Sequence, residues 1–196
     1  MPGEANRIGR QFTQGWLFCN KPNDEEWGFM AIISLHGANP LIDGRQSEKA
    51  MLVRRGSQAL LHNMRHAILP ELVLSNGRRA DLTCLTEQGE IWILEIKSSI
   101  EDFRVDRKWP DYRFYCDRLF FATHPDVPVD IFPEDCGLIV ADGYGAHVIR
   151  DAPEHRIAPA TRKAMTLNFA RAAAHRLLVA EMNVDRSGFA FTPVDG

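Results

Sequence analysis

The sequence lacks any long hydrophobic run. No stretch of the 196 residues approaches the roughly 18 consecutive apolar residues that a membrane-spanning helix needs. The first residues, MPGEANRIGRQ, do not show the basic-then-apolar order of a secretion signal. Both absences predict a cytoplasmic protein with no membrane partner. Internal repeats and low-complexity segments are also missing from the sequence.

Cysteine is scarce and scattered, with no CxxC pair among Cys19, Cys84, Cys116 and Cys136. A structural zinc site is therefore not expected, and the thiols are predicted to stay reduced and to pack as small hydrophobic side chains. His62 and His66 stand four residues apart, as in the helix of a zinc protease, but the residues between them supply no glutamate base. The zinc-protease interpretation is therefore rejected.

The chain also lacks an excess of positive charge. It has 23 basic and 26 acidic residues, a net charge of −3, and 45% hydrophobic residues, which predicts one soluble domain with a core. The net charge argues against a bulk nucleic-acid binder, but the charge is unevenly distributed. Residues 54–79 contain five arginines and one glutamate, and residues 155–186 contain six basic and two acidic residues. Residues 101–142, in contrast, contain ten acidic and five basic residues.

Glycine and proline interrupt residues 1–46, which are predicted to form a peripheral amino-terminal extension with one short strand at 28–35. A helix is predicted from Ser47, an acceptable N-cap, to the residue before Pro70. Its buried stripe is predicted to contain Val53, Gly56, Leu60, Met64, Ala67 and Ile68.

An α/β fold with a mixed central sheet follows from the remaining pattern. Strands are predicted at 71–74, 79–85 and 91–97 as an antiparallel meander whose third strand is central and covered on both faces. A short helix from Pro110 to residue 116, a strand at 119–123, and a hairpin of 137–141 and 146–149 follow. A carboxyl-terminal helix at 161–180 is predicted to bury Ala164, Leu167, Ala170, Ala174, Leu177 and Leu178. The domain is predicted to span 47–183, with a tail at 184–196.

Two charges stand out in the central strand. Glu95 and Lys97 lie on the same face as Ile91 and Ile93 by period-two alternation, and charges on a buried strand need a reason. If residues 86–90 form a five-residue loop, Asp81 of the preceding strand falls opposite Glu95. A four-residue loop would turn Asp81 to the other face, so the chemical interpretation predicts the register.

Two converging carboxylates repel each other unless a cation lies between them, and oxygen ligands of this kind suit Mg²⁺ or Mn²⁺. Asp81, Glu95 and the backbone carbonyl of Ile96 are the predicted metal ligands. Lys97 can orient or deprotonate a metal-bound water and neutralise charge on a phosphate. The alternative is a structural ion pair near the end of the strand, with Asp81 as an ordinary carboxylate next to a turn.

The pattern of Asp81 followed by Glu95-Ile96-Lys97 resembles the PD-(D/E)xK nuclease superfamily over residues 47–124. A longer string looks like the MmcB-like family of bacterial DNA-repair proteins over residues 53–178. It comprises residues 77–82, 95–99, 102–103, 106, 108–109, 112, 115–117 and 120–122. The resemblance implies a restriction-endonuclease-like fold and a metal-dependent phosphodiesterase acting on DNA. Arg79-Ala80 stands where the superfamily motif has a proline before its aspartate.

Further residues are assigned by position. Glu71 is an additional candidate metal ligand, with a solvated strand edge as the alternative. The arginines Arg54, Arg55, Arg78 and Arg79 are predicted to contact DNA phosphates, with a solvated surface as the alternative. Ser98, Asp102, Asp106 and Lys108 are predicted near the mouth of a cleft, with a solvated helix surface as the alternative. Tyr112 is a candidate for stacking on an unpaired base, with packing of the short helix onto the sheet as the alternative. Asp117 is expected to form a salt bridge with the adjacent Arg118.

The leading hypothesis is a Mg²⁺- or Mn²⁺-dependent DNA nuclease in repair, selective for the structure of the DNA rather than its sequence, since no recognition helix is visible. Asp81 and Glu95 would bind the metal, and Lys97 would position the attacking water. The alternatives are a non-cleaving DNA-binding or repair-scaffold protein that retains the nuclease fold, and a small α/β domain unrelated to nucleic acid. Other repair proteins are further candidate partners.

Overall fold

The structure is a computed structural model that describes residues 47–188, with side chains described through residue 182. The predictions for residues 1–46 and 189–196 lie outside the described residues. The helices are α1 (Glu48–Asn63), α2 (Ile100–Val105) and α3 (Pro159–Gly188), with 3₁₀ helices at Trp109–Phe114 and Val129–Ile131. The strands are β1 (Ala67–Val73), β2 (Arg79–Leu85), β3 (Ile91–Lys97), β4 (Arg118–Thr123), β5 (Gly137–Ala141) and β6 (Ala146–Arg150).

The six strands form one mixed sheet in the order β1-β2-β3-β4-β5-β6. Neighbouring strands are antiparallel from β1 to β3, parallel from β3 to β5, and antiparallel between β5 and β6. The predicted meander, hairpin and mixed α/β sheet are thus confirmed. None of the helices between residues 47 and 188 is long and apolar enough to cross a membrane.

Each face of the sheet carries its own hydrophobic core. Val53 and Leu61 of α1 pack with Leu94 on one face, whereas Met165 of α3 packs with Ile91 and Ile93 on the other. β3 is therefore covered on both faces, as its nearly continuous apolar sequence predicted. This burial places the charged end of β3 in a low-dielectric environment, which matters for the site described below.

Helix α1 begins as predicted but ends earlier. Ser47 caps it by accepting a 3.1 Å hydrogen bond from the Ala50 N–H. The prediction of helix up to Pro70 was wrong, because the chain turns at Arg65, whose φ is +62°, and enters β1 at Ala67. β1 is an edge strand, where the missing N–H of proline is tolerated.

The buried stripe of α1 also differs from the prediction. Beside Val53 and Gly56, the helix buries Ser57 and Leu61, whereas Met64 is exposed. Gly56 makes the close approach: a Cβ there would lie 2.8 Å from the Gly145 carbonyl oxygen of the β5–β6 hairpin. The hairpin therefore decides which side of α1 faces the sheet.

Helix α3 faces the sheet with a different side from the predicted one. Leu167, Leu177 and Leu178 of the predicted buried stripe are 53–63% exposed, and Met165 is buried instead. Phe169, Ala172 and Ala173 pack against the core beside Met165, and polar contacts add to this packing. Arg162 donates to both carboxylate oxygens of buried Asp117 at 2.7 and 2.6 Å, and Asn168 Nδ2 donates to the Val73 carbonyl at 2.8 Å.

Two further expectations near α3 are corrected. Asp117 pairs with Arg162, whereas Arg118 forms its salt bridge with Glu90, so the expected Asp117–Arg118 pair was wrong. The helix spans Pro159–Gly188, whereas it was predicted at 161–180.

Candidate active site

The predicted register between β2 and β3 is confirmed. Thr83 pairs with Ile93 and Leu85 with Ile91, as a five-residue loop requires. The ladder ends at the next pair, Leu82 with Leu94. Beyond this pair, side chains replace the backbone partners, and these side chains are the predicted carboxylates.

The carboxylates of Asp81 and Glu95 bond reciprocally with main-chain N–H groups across the gap between the two strands. The Ile96 N–H donates to Asp81 Oδ2 at 2.7 Å, and the Asp81 N–H donates to Glu95 Oε1 at 3.3 Å. Both carboxylates are therefore fixed by main-chain groups of the neighbouring strand. The structure brings Asp81, Glu95 and Lys97 together at the carboxyl end of a central strand, as the sequence predicted.

A kink in β1 and β2 lies beside this cluster. Glu71 has a φ of +52°, an unusual backbone conformation for a residue other than glycine. Pro70 pairs with Leu82 and Leu72 pairs with Ala80, so Glu71 and Asp81 lie between these two pairs. Strained backbone of this kind costs about 1–3 kcal/mol and clusters at functional sites. The unusual backbone at Glu71 therefore lies in β1 next to Asp81 of β2.

The cluster is buried, and its charges are out of balance. Glu95 is 4% exposed and Lys97 8% exposed. Burial raises the pKa of Asp81 above its ordinary value. Burial, with the negative charge of Asp81 as the second cause, raises the pKa of Glu95 well above its ordinary value. Both carboxylates are therefore harder to ionise than they would be in water.

Lys97 keeps its charge. Burial by itself would lower the pKa of Lys97, but the Glu95 carboxylate and a hydrogen bond to Asp106 outweigh burial and raise it. The ammonium nitrogen lies 2.6 Å from Asp106 Oδ2 and 3.7 Å from Glu95 Oε2. A charged lysine donates hydrogen bonds and neutralises anions.

Asp106 is the functional contact that sequence reasoning undervalued. It was placed only near the mouth of a cleft, yet its carboxylate is the nearest partner of Lys97. The available signal was physical: a buried lysine needs a counter-charge, and the polar segment directly after β3 is the nearest source of one.

The residues present fit a divalent metal of the Mg²⁺ type. Asp81 and Glu95 supply two hard oxygen ligands. Because the N–H and C=O of a strand residue point to the same neighbouring strand, the Ile96 carbonyl also points toward β2. Within the described part of the chain, no group of three or more His, Cys, Asp or Glu side chains forms a ready-made metal cage. Mg²⁺ commonly binds through one or two carboxylates and completes its coordination with water and substrate phosphate.

Glu71 does not join the carboxylate pair as a ligand in this structure. Its carboxylate lies 3.5 Å from Arg54 NH1 and 2.5 Å from Arg79 Nε. Arg176 of α3 donates hydrogen bonds to the backbone carbonyls of Pro70 and Glu71, which stabilises the unusual backbone there. The predicted extra ligand is therefore the counter-ion of two arginines.

The arginines predicted to contact phosphate differ in their surroundings. Arg55 is exposed, and Arg79 has a side chain that is 59% exposed. The side chain of Arg54 is 11% exposed, and Arg78 forms an ion pair with Asp111. Arg55 and Arg79 are thus the most exposed of the four predicted contacts, and a phosphate bound by Arg79 would compete with its ion pair to Glu71.

The other predicted cleft residues have structural partners. Ser98 donates to Asp102 Oδ2 from both its N–H and its hydroxyl, at 3.3 and 3.2 Å. The Lys108 N–H donates to Asp106 Oδ1 at 2.8 Å. The prediction that Tyr112 stacks on a base was wrong, because its ring is buried and its hydroxyl donates to the Arg79 carbonyl.

The fold and the site define an α/β protein with a six-stranded mixed sheet and a buried acid–acid–lysine cluster at the end of its central strand. A family model described as DNA repair protein MmcB-like matches residues 37–184. The chain therefore belongs to the MmcB-like family of DNA repair proteins, which confirms the resemblance seen in the sequence.

A solved structure is also similar to this chain. It is a protein of unknown function from Silicibacter pomeroyi, with 36% sequence identity and a TM-score of 0.67. The match covers 76% of this chain and 99% of that chain. No curated protein sequence matches this one.

Proposed function

We propose that this protein is a metal-dependent DNA phosphodiesterase that acts in DNA repair, and that its sheet is of the restriction-endonuclease-like PD-(D/E)xK type. The observation that carries the proposal is the reciprocal bonding of Asp81 and Glu95 beside charged Lys97. Membership in a DNA-repair family supports DNA as the substrate. Mg²⁺ or Mn²⁺ is the cofactor that the ligand set favours.

Electrostatics supports the metal. Two buried carboxylates with raised pKa values repel each other and cost stability when both are ionised. A divalent cation between them would relieve this repulsion, because its charge is larger than that of any neighbouring side chain. A purely structural ion pair needs one acid and one base, whereas Lys97 lies within ion-pair distance of two acids, Glu95 and Asp106. The charge of a third acid, Asp81, also acts on it.

The residues of the chain divide the chemistry between them. Asp81, Glu95 and the Ile96 carbonyl would hold the metal, which when bound polarises a phosphoryl oxygen and lowers the pKa of water. Lys97 would orient the attacking water and stabilise the negative charge that grows on the phosphate. Arg79 and Arg55 would bind flanking phosphates, which positions the DNA without reading its sequence.

Cleavage assays test the proposal. Wild-type protein, Asp81→Asn and Lys97→Met would be incubated with end-labelled single-stranded, nicked and branched DNA in Mg²⁺ or Mn²⁺, with Glu101→Gln as the matched control on exposed α2. We expect wild type and control to cleave at least one substrate. Each site variant should be slower by about 100-fold or more, which is typical when a group that stabilises charge is removed.

The same assay separates the rival function. DNA binding by wild type with no cleavage of any substrate in either metal would contradict the enzyme and support a repair scaffold with the same fold. Equal cleavage by wild type and both site variants would show that the activity does not come from this cluster. DNA binding is measured in parallel by fluorescence anisotropy, so loss of binding is not mistaken for loss of chemistry.

A further inference from the structure

Lys97 has two acidic neighbours at unequal distances. Its ammonium nitrogen makes a 2.6 Å hydrogen bond with Asp106 Oδ2, whereas Glu95 Oε2 is 3.7 Å away, within ion-pair range but beyond a hydrogen bond. All three side chains are 15% exposed or less. The Lys97 ammonium group is therefore closer to Asp106 than to Glu95, the proposed metal ligand.

Asp106 is itself fixed in place. It directly follows α2, and its own N–H donates to the Phe103 carbonyl at 3.3 Å. Its second oxygen, Oδ1, accepts the Lys108 N–H at 2.8 Å. The carboxylate thus has one oxygen bound to the main chain and the other bound to Lys97, so it cannot rotate away without losing both contacts.

We propose that Asp106 is a positioning residue that keeps Lys97 off Glu95 and so leaves Glu95 free to bind the divalent metal. This inference rests on the proposed function. Without the negative charge of Asp106, the nearest acid for the Lys97 ammonium is Glu95. A lysine paired closely with Glu95 competes with the metal for the same oxygens, because both are cations.

The same contact sets the direction of the remaining donors of Lys97. An ammonium group has three N–H donors. Asp106 accepts one of these N–H donors, and Glu95 attracts a second. The direction of the third N–H follows from the other two. Asp106 thereby orients the donor that would meet a water molecule or a phosphate oxygen, although Asp106 does not touch the substrate.

Metal affinity tests the proposal without relying on nuclease activity. Mn²⁺ binding would be measured by isothermal titration calorimetry for wild type, Asp106→Asn, Asp106→Ala and the control Glu101→Gln. The control also removes a carboxylate, but from the exposed first turn of α2. We expect both Asp106 variants to bind Mn²⁺ about tenfold more weakly, while Glu101→Gln binds as wild type does.

A double variant identifies the cause. If Lys97 moves onto Glu95 when Asp106 is neutral, then Lys97→Met in the Asp106→Asn background removes the competing cation. Mn²⁺ affinity should then return at least to the wild-type value. With saturating Mn²⁺, Asp106→Asn alone should lower kcat for DNA cleavage and leave KM nearly unchanged, because the DNA contacts are intact.

Each outcome is decisive. Unchanged Mn²⁺ affinity in both Asp106 variants would overturn the positioning role even if wild type cleaves DNA. Weaker affinity that Lys97→Met does not restore would also overturn it, since the loss would then not come from lysine. If wild type binds no Mn²⁺ at all, the proposed metal-dependent function fails and the inference fails with it. Thermal unfolding of every variant confirms that folded protein is compared.

Discussion

Gly137 at the start of β5 should not tolerate even a methyl group. It pairs with Phe120 of β4, and a Cβ at position 137 would lie 2.2 Å from Phe120 Cδ1 and 2.4 Å from Cε1. Ordinary contacts begin near 3.4 Å, so the ring would have to retreat by more than 1 Å. Phe120 is 1% exposed and stacks on Trp92 with ring centroids 5.0 Å apart, which leaves it no free space.

The expected cost of Gly137→Ala follows from this overlap. Overpacking a tight core usually costs about 1–3 kcal/mol, and a buried ring with no room to move places this site at about 3 kcal/mol. For a domain of this size, each kcal/mol lowers Tm by about 2–4 °C, so a loss of about 6–12 °C is expected. Circular dichroism during thermal unfolding, with urea unfolding for the free energy, measures both quantities.

Matched variants separate this overlap from a general effect of replacing glycine. Gly145 has nothing within 4 Å of its hypothetical Cβ, so Gly145→Ala should change the free energy of unfolding by less than about 0.5 kcal/mol. Phe120→Leu in the Gly137→Ala background should recover part of the loss, because the smaller side chain makes room. The reasoning is refuted if Gly137→Ala is as stable as Gly145→Ala.

Three further predictions concern charge. An acid whose pKa is raised by folding contributes its full stability only below its unfolded pKa, near 4, and loses that contribution as the pH rises. In urea titrations without metal, Asp81→Asn should therefore be more stable than wild type at pH 8 but not at pH 4. Burial lowers the pKa of His66, and neither ring nitrogen has a hydrogen-bond partner within the described residues. The free energy of unfolding should therefore fall as the pH drops below 6.5, and His66→Phe should raise it by about 1 kcal/mol or more at pH 5. If His66→Phe is no more stable than wild type at pH 5, this account of His66 is wrong. Arg79→Gln should weaken DNA binding and reduce the slope of log affinity against log salt by about 1 in anisotropy titrations, whereas an unchanged slope would remove Arg79 from the phosphate contacts.

Much of the fold could be predicted from local patterns in the sequence. The Ser47 cap, the second and third strands of the meander and the β5–β6 hairpin are readable because each depends on a few neighbouring residues with strong turn or strand signals. The first strand was predicted at 71–74, whereas β1 begins at Ala67. The register that sets Asp81 opposite Glu95 was also readable, because the length of a hairpin loop fixes which residues pair. The approximate place of the acid–acid–lysine cluster followed from that register alone.

The structure differs from the prediction where contacts join residues that are distant in the sequence. The side of α3 that faces the sheet was predicted wrongly because both sides carry apolar residues at helical spacing. Met165, Phe169, Ala172 and Ala173 are the ones that pack against the core, and Arg162 and Asn168 add polar contacts. The left-handed backbone at Glu71 has no signature in the sequence either. It depends on Arg54, Arg79 and Arg176, which come from three different elements.

By itself, the sequence predicted that Asp81 of one strand would meet Glu95 and Lys97 at the end of the next strand. It also carried the resemblance to the MmcB-like family of DNA repair proteins, which the family model confirms. Only the tertiary structure decided how those charges are balanced. Burial raises the pKa of both acids, and Asp106, which follows a separate helix, holds Lys97 to one side. The physical reason is that residue types and strand register are local properties, whereas desolvation and the pairing of buried charges depend on everything packed around them.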